Sequence, residues 1–168
     1  QMKKIYALII FLSITIPSFG QVTISPNPFE VDESITITLD ANSSATDCNG
    51  FSNPTKVYMH SGVGPESNPW THTIGNWGQD DGVGEMTNNG NGTWSITLTP
   101  ETYYGLTSQE AANAIKMGMV FRTQDGSQEL KDDGCSDFFF DIGTFQVSLT
   151  APLANSTTLL SSGNNLSI

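Results

Sequence analysis

Alternating apolar and polar residues between positions 34 and 39 constrain the fold of this chain most strongly. Ile35, Ile37 and Leu39 alternate with Ser and Thr, and a period of two is typical of a β-strand with one buried and one solvent-facing side. Six other segments of similar length contain β-branched or aromatic residues between turn-forming residues. The segments are 22–25, 55–61, 92–99, 117–123, 137–142 and 145–149. The sequence therefore predicts about seven strands.

One short helix is predicted at residues 107–115. Thr107 and Glu110 have the spacing of a capping box, and alanines follow them. Asp125 and Gly126 indicate a hairpin turn after the strand at 117–123. Many short strands with one connecting helix favour an all-β fold, an immunoglobulin-like antiparallel β-sandwich.

The first twenty residues have the pattern of a signal peptide. Lys3 and Lys4 precede an apolar run, and small residues precede Gln21, so cleavage is expected before Gln21. The run is too short to span a bilayer stably, so we expect a secreted or cell-surface protein without membrane insertion. Residues 21–149 are predicted to form the β-sandwich module. Residues 150–168 are interpreted as a linker and the start of a truncated second immunoglobulin-like module.

The charge of the chain argues against nucleic acid as a partner. Signal cleavage removes two of the six basic residues and none of the seventeen acidic ones, so the net charge moves from −11 to −13. The acidic residues could serve solubility outside the cell or bind divalent cations, or they could form an ordinary solvated surface.

Two cysteines, Cys48 and Cys135, are far apart in the sequence. In an exported protein this number favours one structural disulfide over a metal site or a redox pair. Such a bond would close a loop of about ninety residues and stabilise the fold by roughly 4 kcal/mol in the chain-entropy model.

The segment 56–85 combines two Trp, two His and four acidic residues with turn-forming Gly, Asn and Pro. Loops of this kind carry function on a rigid scaffold, and exposed aromatic rings beside polar groups suit a sugar ring. Trp77 is predicted to stack on a ligand, whereas Trp70 could be a second wall or a hydrophobic plug. Trp94 alternates with Ile96 and Leu98 and is predicted to lie in the core. The candidate polar ligand contacts are His60, Asn76, Gln79 and Asp80.

Two acidic clusters, at 80–85 and 132–137, place carboxylates beside glycine turns, as calcium sites often do. Asp80, Asp81 and Glu85 are the candidate calcium ligands, and no other cofactor is predicted. Ordinary Asx-turns are the alternative. No catalytic signature is recognisable, so the fragment itself is not predicted to be an enzyme.

Five segments of the chain carry a resemblance to a known family: VYMHSGVG, GNWGQDDGVGEM, GNGTWSITLTP, GMVFRTQDGS and DGCSDFFFDIG. Together they resemble an N-terminal β-sandwich module of secreted Bacteroidetes proteins. Many proteins with such modules resemble α-amylase-family glycoside hydrolases, and the layout is also similar to surface starch-binding proteins. The resemblance covers residues 22–146. It implies an accessory module whose partners are a polysaccharide such as an α-glucan and the downstream domains of the same chain.

The leading hypothesis is therefore a non-catalytic carbohydrate-binding module that holds a downstream hydrolase, such as an amylase-family enzyme, near its polymer. The alternative is a structural or adhesive spacer with no glycan affinity. A hydrolase domain in its own right is the third hypothesis.

Overall fold

Nine strands and three short helices form the part of the chain that the computed structural model describes, residues 21–42 and 50–143. The strands are β1 (Val22–Ser25), β2 (Ile35–Asp40), β3 (Val57–Gly64), β4 (His72–Ile74), β5 (Thr87–Gly90), β6 (Thr93–Leu98), β7 (Lys116–Thr123), β8 (Glu129–Leu130) and β9 (Phe138–Asp141). The helices are α1 (Pro100–Tyr103), α2 (Ser108–Asn113) and a 3-10 turn at Asp133–Cys135. The predicted signal peptide, Cys48, the strand at 145–149 and the module at 150–168 lie outside the described residues.

The first sheet has the strand order β1-β2-β6-β5, and its strands are antiparallel. The apolar residues of β2 are buried, while the polar residues between them are partly exposed. On the outer face, Thr36 Oγ1 lies 2.9 Å from Thr97 Oγ1 of β6, a cross-strand pair of the kind that stabilises a solvated sheet face. The sequence period of two therefore sets which side of this sheet is buried.

The second sheet has the order β4-β3-β7, with β8 and β9 sharing the free edge of β7. Strand β9 pairs with residues 116–119 of β7, and β8 pairs with Phe121 and Arg122. Val120 lies between these two pairings. The residues that directly follow β8 and directly precede β9 consequently lie beside Val120.

The core lies between the inner faces of the two sheets. Ile35, Ile37 and Leu39 from the first sheet, and Met59 and Phe121 from the second, have no exposed surface. Trp94 is also buried in this core, as its alternation with Ile96 predicts. Burial of apolar surface from both sheets is the main stabilising term of such a sandwich.

These observations confirm the predicted all-β sandwich of antiparallel sheets. The predicted helix is present as α2, and Thr107 and Glu110 form its capping box in both directions. The described residues contain three strands that the sequence did not predict, β4, β5 and β8, together with the helix α1. Among the described residues, no helix has the length and apolar character needed to cross a membrane.

Candidate functional site

Trp70 lies on the outer face of the second sheet, above two glycines. Gly62 of β3 and Gly118 of β7 are directly opposite each other, and neither has a side chain. A Cβ on Gly62 would lie 3.0 Å from Trp70 Cα, and a Cβ on Gly118 would lie 3.0 Å from Trp70 Cε2. The paired glycines therefore provide a flat backbone surface on which the indole ring packs.

Gly62→Ala is expected to lower the free energy of unfolding by about 1–3 kcal/mol, because the new methyl group overpacks the site. It would meet backbone atoms, Trp70 Cα at 3.0 Å and the Pro69 carbonyl oxygen at 3.1 Å, which cannot move independently. Gly118→Ala is the matched control, since the nearest atoms to its methyl group would be ring atoms of Trp70 and Phe139. Urea unfolding measures both values, and a larger loss for Gly118→Ala would contradict this packing.

His60 lies between the half-buried Trp70 and the exposed Trp77. Its ring is nearly parallel to Trp70, with centroids 5.6 Å apart and planes at 23°, and it is edge-on to Trp77 at 5.7 Å and 85°. His60 Nδ1 lies 3.0 Å from the Gly75 carbonyl oxygen. A carbonyl can only accept, so Nδ1 donates this bond and Nε2 is the acceptor of the neutral ring. His60 is thus fixed in orientation between the two indoles.

Trp77 occupies a tight turn that presents its ring to solvent. Gln79 N donates to the Asn76 carbonyl oxygen at 3.2 Å, and Gly78 has a φ of +71°. A positive φ at the third turn position favours glycine. The Trp77 side chain remains 46% exposed, as expected for a turn rich in Gly and Asn.

His60, Trp70 and Trp77 line a shallow depression of about 250 Å³ together with three residues from β7 and its edge. Lys131 follows β8 and Asp137 precedes β9, so both reach the level of Val120. Lys131 Nζ lies 3.4 Å from Asp137 Oδ1, and about a quarter of each side chain is exposed. Pockets that enclose a small molecule usually measure about 300–1,000 Å³. This depression is smaller and suits contact with part of a larger ligand.

The sequence did not predict that Val120, Lys131 and Asp137 belong to this site. Strand β8 has only two residues, too few to show a period in the sequence. In the sequence, Asp137 is recognisable only as part of the acidic cluster at 132–137. The position of both charged residues depends on two strands sharing one edge of β7, and local sequence patterns carry no signal for such pairing.

The other predicted polar contacts lie in the loop that carries Trp77, but they do not line the depression. Asn76 Nδ2 donates to Asp81 Oδ2 at 2.7 Å. Asp80 Oδ1 accepts from Lys56 Nζ at 2.7 Å. The Gln79 carbonyl oxygen accepts from Arg122. These groups hold the loop together, and only the exposed side chain of Gln79 has no such described role.

Tyr58 supports this loop from below. It lies on the outer face of β3, is fully buried, and its hydroxyl contacts Asp80 and lies 3.0 Å from Glu85 Oε2. Burial, assisted by the hydrogen bond to Asp80, raises the pKa of Tyr58 to about 12. Hydrogen bonds from Lys56 and Tyr58 hold the pKa of the Asp80 carboxyl below its ordinary value. Tyr58 is therefore a neutral donor beneath the acidic turn.

The candidate calcium ligands Asp80, Asp81 and Glu85 contact protein donors. Asp81 Oδ1 accepts from Val83 N at 3.0 Å, which is the Asx-turn alternative. Glu85 accepts from Tyr58, and its Oε1 lies 3.6 Å from Lys56 Nζ. Within residues 21–42 and 50–143, no group of three or more His, Cys, Asp or Glu side chains has an arrangement that could hold a metal ion.

Asp125→Asn is expected to destabilise the β7–β8 hairpin near neutral pH. It should also make the free energy of unfolding depend less on pH in the acid range. Hydrogen bonds from Thr123 and Ser127 lower the pKa of Asp125 to about 2 from its ordinary 3.8. The carboxylate therefore stabilises the fold above about pH 4, and this contribution is lost as the pH falls towards 2. Urea unfolding between pH 2 and pH 7 tests this, with Asp133→Asn as the control. If the free energy of unfolding changed with pH in the same way for the wild type and Asp125→Asn, this prediction would be contradicted.

Two larger depressions, of about 630 and 700 Å³, adjoin the ends of the described ranges. One includes Asn42 and Phe51, and the other includes Gly143. Cys135 lies in the 3-10 turn, whereas Cys48 is outside the described residues, so the disulfide stays a prediction. The aromatic depression is the candidate site because two indole rings and an imidazole ring line it together.

No protein family model matches this chain, and no curated protein sequence is significantly similar to it. The resemblance to Bacteroidetes modules therefore stays a prediction. The function is inferred from the chain's own geometry.

Proposed function

We propose that this β-sandwich is a non-catalytic carbohydrate-binding module, and that a glycan binds on the rings of His60, Trp70 and Trp77. The observation that carries the proposal is the 46% exposed indole of Trp77, held in a hydrogen-bonded turn beside two other rings. A large apolar ring on a fixed backbone can contact the C–H face of a sugar with little further loss of conformational entropy.

Polar groups around the rings suit hydroxyl recognition. Lys131 supplies donors and Asp137 supplies acceptors at the border of the depression, while His60 Nε2 is the acceptor of its ring. The positive charge of Lys131 is balanced by Asp137, and the chain carries a net charge of −11. A polyanionic glycan would be repelled, so the ligand is proposed to be neutral.

The inclination of the rings favours a curved glycan. His60 is edge-on to Trp77 at 85° but within 23° of parallel to Trp70, so the two indoles are steeply inclined to each other. A flat, ribbon-like β-glucan would contact only one of them well. A helical α-glucan such as starch can curve across both, in agreement with the resemblance to starch-binding modules.

The biological context is part of the same proposal. A signal peptide at residues 1–20 would export the chain, and a Cys48–Cys135 disulfide would suit an oxidising environment. The module would raise the effective concentration of polymer for downstream domains. This places the chemistry of a secreted glycan-active protein outside the described residues.

Affinity electrophoresis of the chain in gels that contain soluble starch, glycogen, a β-glucan, xylan or polygalacturonate tests the proposal. Starch and glycogen are expected to retard migration, and the anionic polygalacturonate is not. Unchanged migration in every gel would overturn carbohydrate binding. Retardation by the β-glucan alone would overturn the α-glucan assignment.

A further inference from the structure

Arg122 is the only arginine in the chain, and it is fully buried although it belongs to the outer face of the second sheet. It is directly opposite Tyr58 in the register of β7 and β3, and its guanidinium carbon lies 4.5 Å from the centre of the Tyr58 ring. Burying a charged group is costly unless it is paired and hydrogen-bonded. The contacts that compensate for this cost therefore show what the residue does.

One end of the guanidinium binds the turn that carries Trp77. Arg122 Nη2 donates to the Asn76 carbonyl oxygen at 2.6 Å and to the Gln79 carbonyl oxygen at 3.0 Å. These two residues begin and end the turn, with Trp77 between them. Arg122 thus fixes both ends of the turn to the sheet, while the indole itself remains exposed.

The other end binds the β7–β8 hairpin, which forms the second side of the Trp77 ring. Arg122 Nη1 donates to the carbonyl oxygens of Thr123 and Gln124 at 3.0 and 3.2 Å. A Cβ on Gly126 of this hairpin would lie 2.9 Å from Trp77 Nε1. The guanidinium therefore joins the two backbone segments between which the indole is placed.

We propose that Arg122 is the positioning residue of the ring surface and sets the orientation of Trp77 that the ligand requires. Its effect on glycan affinity rests on the proposed function, but its effect on Trp77 does not. All four hydrogen bonds of the side chain go to carbonyl oxygens, and Nε finds no partner among the described residues. A side chain without these donors would leave the carbonyl oxygens of the turn and of the hairpin without the partner that joins them.

Lysine cannot replace this function. Its ammonium group is a single point on a flexible chain, whereas the planar guanidinium presents donors in a fixed fork. In Arg122→Lys one group would have to serve acceptors on both the turn and the hairpin. The charge is retained and the connection between the two segments is lost, which makes this variant a specific test.

Fluorine NMR of the protein labelled with 5-fluorotryptophan reports the Trp77 environment directly. The chain contains three tryptophans, and Trp77→Phe assigns the relevant signal. In Arg122→Lys the Trp77 signal is expected to shift towards that of the unfolded chain while the Trp94 signal stays unchanged. Glycan affinity is expected to fall about tenfold, less than for direct loss of a binding hot spot. Lys116→Gln, which removes a cation that pairs with Glu66 and Asp141, is the control and should move neither.

An unchanged Trp77 signal in folded Arg122→Lys would overturn the positioning role. If the wild type binds no glycan, the proposed function fails while the fluorine signal still decides the role of Arg122. If Arg122→Lys does not fold, nitrogen-15 arginine labelling of the wild type reports a single guanidinium. Separate, slowly exchanging Nη signals are expected, and one averaged signal from free rotation would overturn the proposal.

Discussion

Trp77→Ala is expected to weaken glycan binding by about ten- to a hundredfold and to leave the sandwich folded. Trp77 is 46% exposed, so nearly half of its surface is available to a ligand. Loss of a central aromatic contact in a binding site typically costs about 2 kcal/mol or more, and each 1.4 kcal/mol corresponds to about a tenfold change in affinity. Isothermal titration with a soluble α-glucan measures the effect.

Ile115→Ala is the matched control for this variant. Ile115 is equally exposed at 46%, but it lines a different depression and should leave affinity unchanged. Equal affinity of Trp77→Ala and wild type would remove Trp77 from the site. A large loss of stability in Trp77→Ala, without any glycan binding by the wild type, would instead favour the structural spacer.

Trp70→Ala is expected to lower the free energy of unfolding by about 2–3 kcal/mol, somewhat less than the roughly 3–5 kcal/mol for a fully buried Trp. The indole covers the backbone of Gly62 and Gly118 and stacks on His60, so its removal exposes a broad strip of the sheet. Urea unfolding followed by far-ultraviolet circular dichroism measures the loss.

Phe139→Ala controls for simple loss of apolar surface on the same sheet. Phe139 contacts the other side of Gly118 but is 47% exposed, so its removal should cost clearly less than that of Trp70. A Trp70→Ala variant as stable as the wild type would show that this indole does not cover the sheet. If Trp70→Ala loses both stability and glycan affinity, Trp70 both covers the sheet and contacts the ligand.

Sequence patterns predicted the parts of this fold that depend on local periodicity. Ile35, Ile37 and Leu39 define the buried face of β2, and Trp94 lies in the core as its alternation with Ile96 indicates. The capping box of α2 depends on two residues three positions apart. Local chemistry decides such features, because their partners are close in the sequence.

The functional surface could be predicted only in part, because its contacts join distant segments. Trp77 was identified from its Gly and Asn neighbours. Arg122 looks like an ordinary outward-facing strand residue, and only the loop folded over the sheet makes it buried. Asp80 was predicted to bind ligand, whereas Tyr58 and Lys56, more than twenty positions earlier, occupy its carboxylate. A single sequence shows which way a side chain points from a strand but not what covers it.

Titration of the protein labelled with 5-fluorotryptophan with maltoheptaose, while the fluorine signals of the indole rings are recorded by NMR, tests carbohydrate binding at the ring surface most directly. We expect a saturable shift of the Trp77 signal, a smaller shift of the Trp70 signal and an unchanged signal of buried Trp94. An unchanged Trp77 signal with maltoheptaose and with other neutral oligosaccharides would contradict carbohydrate binding at this surface.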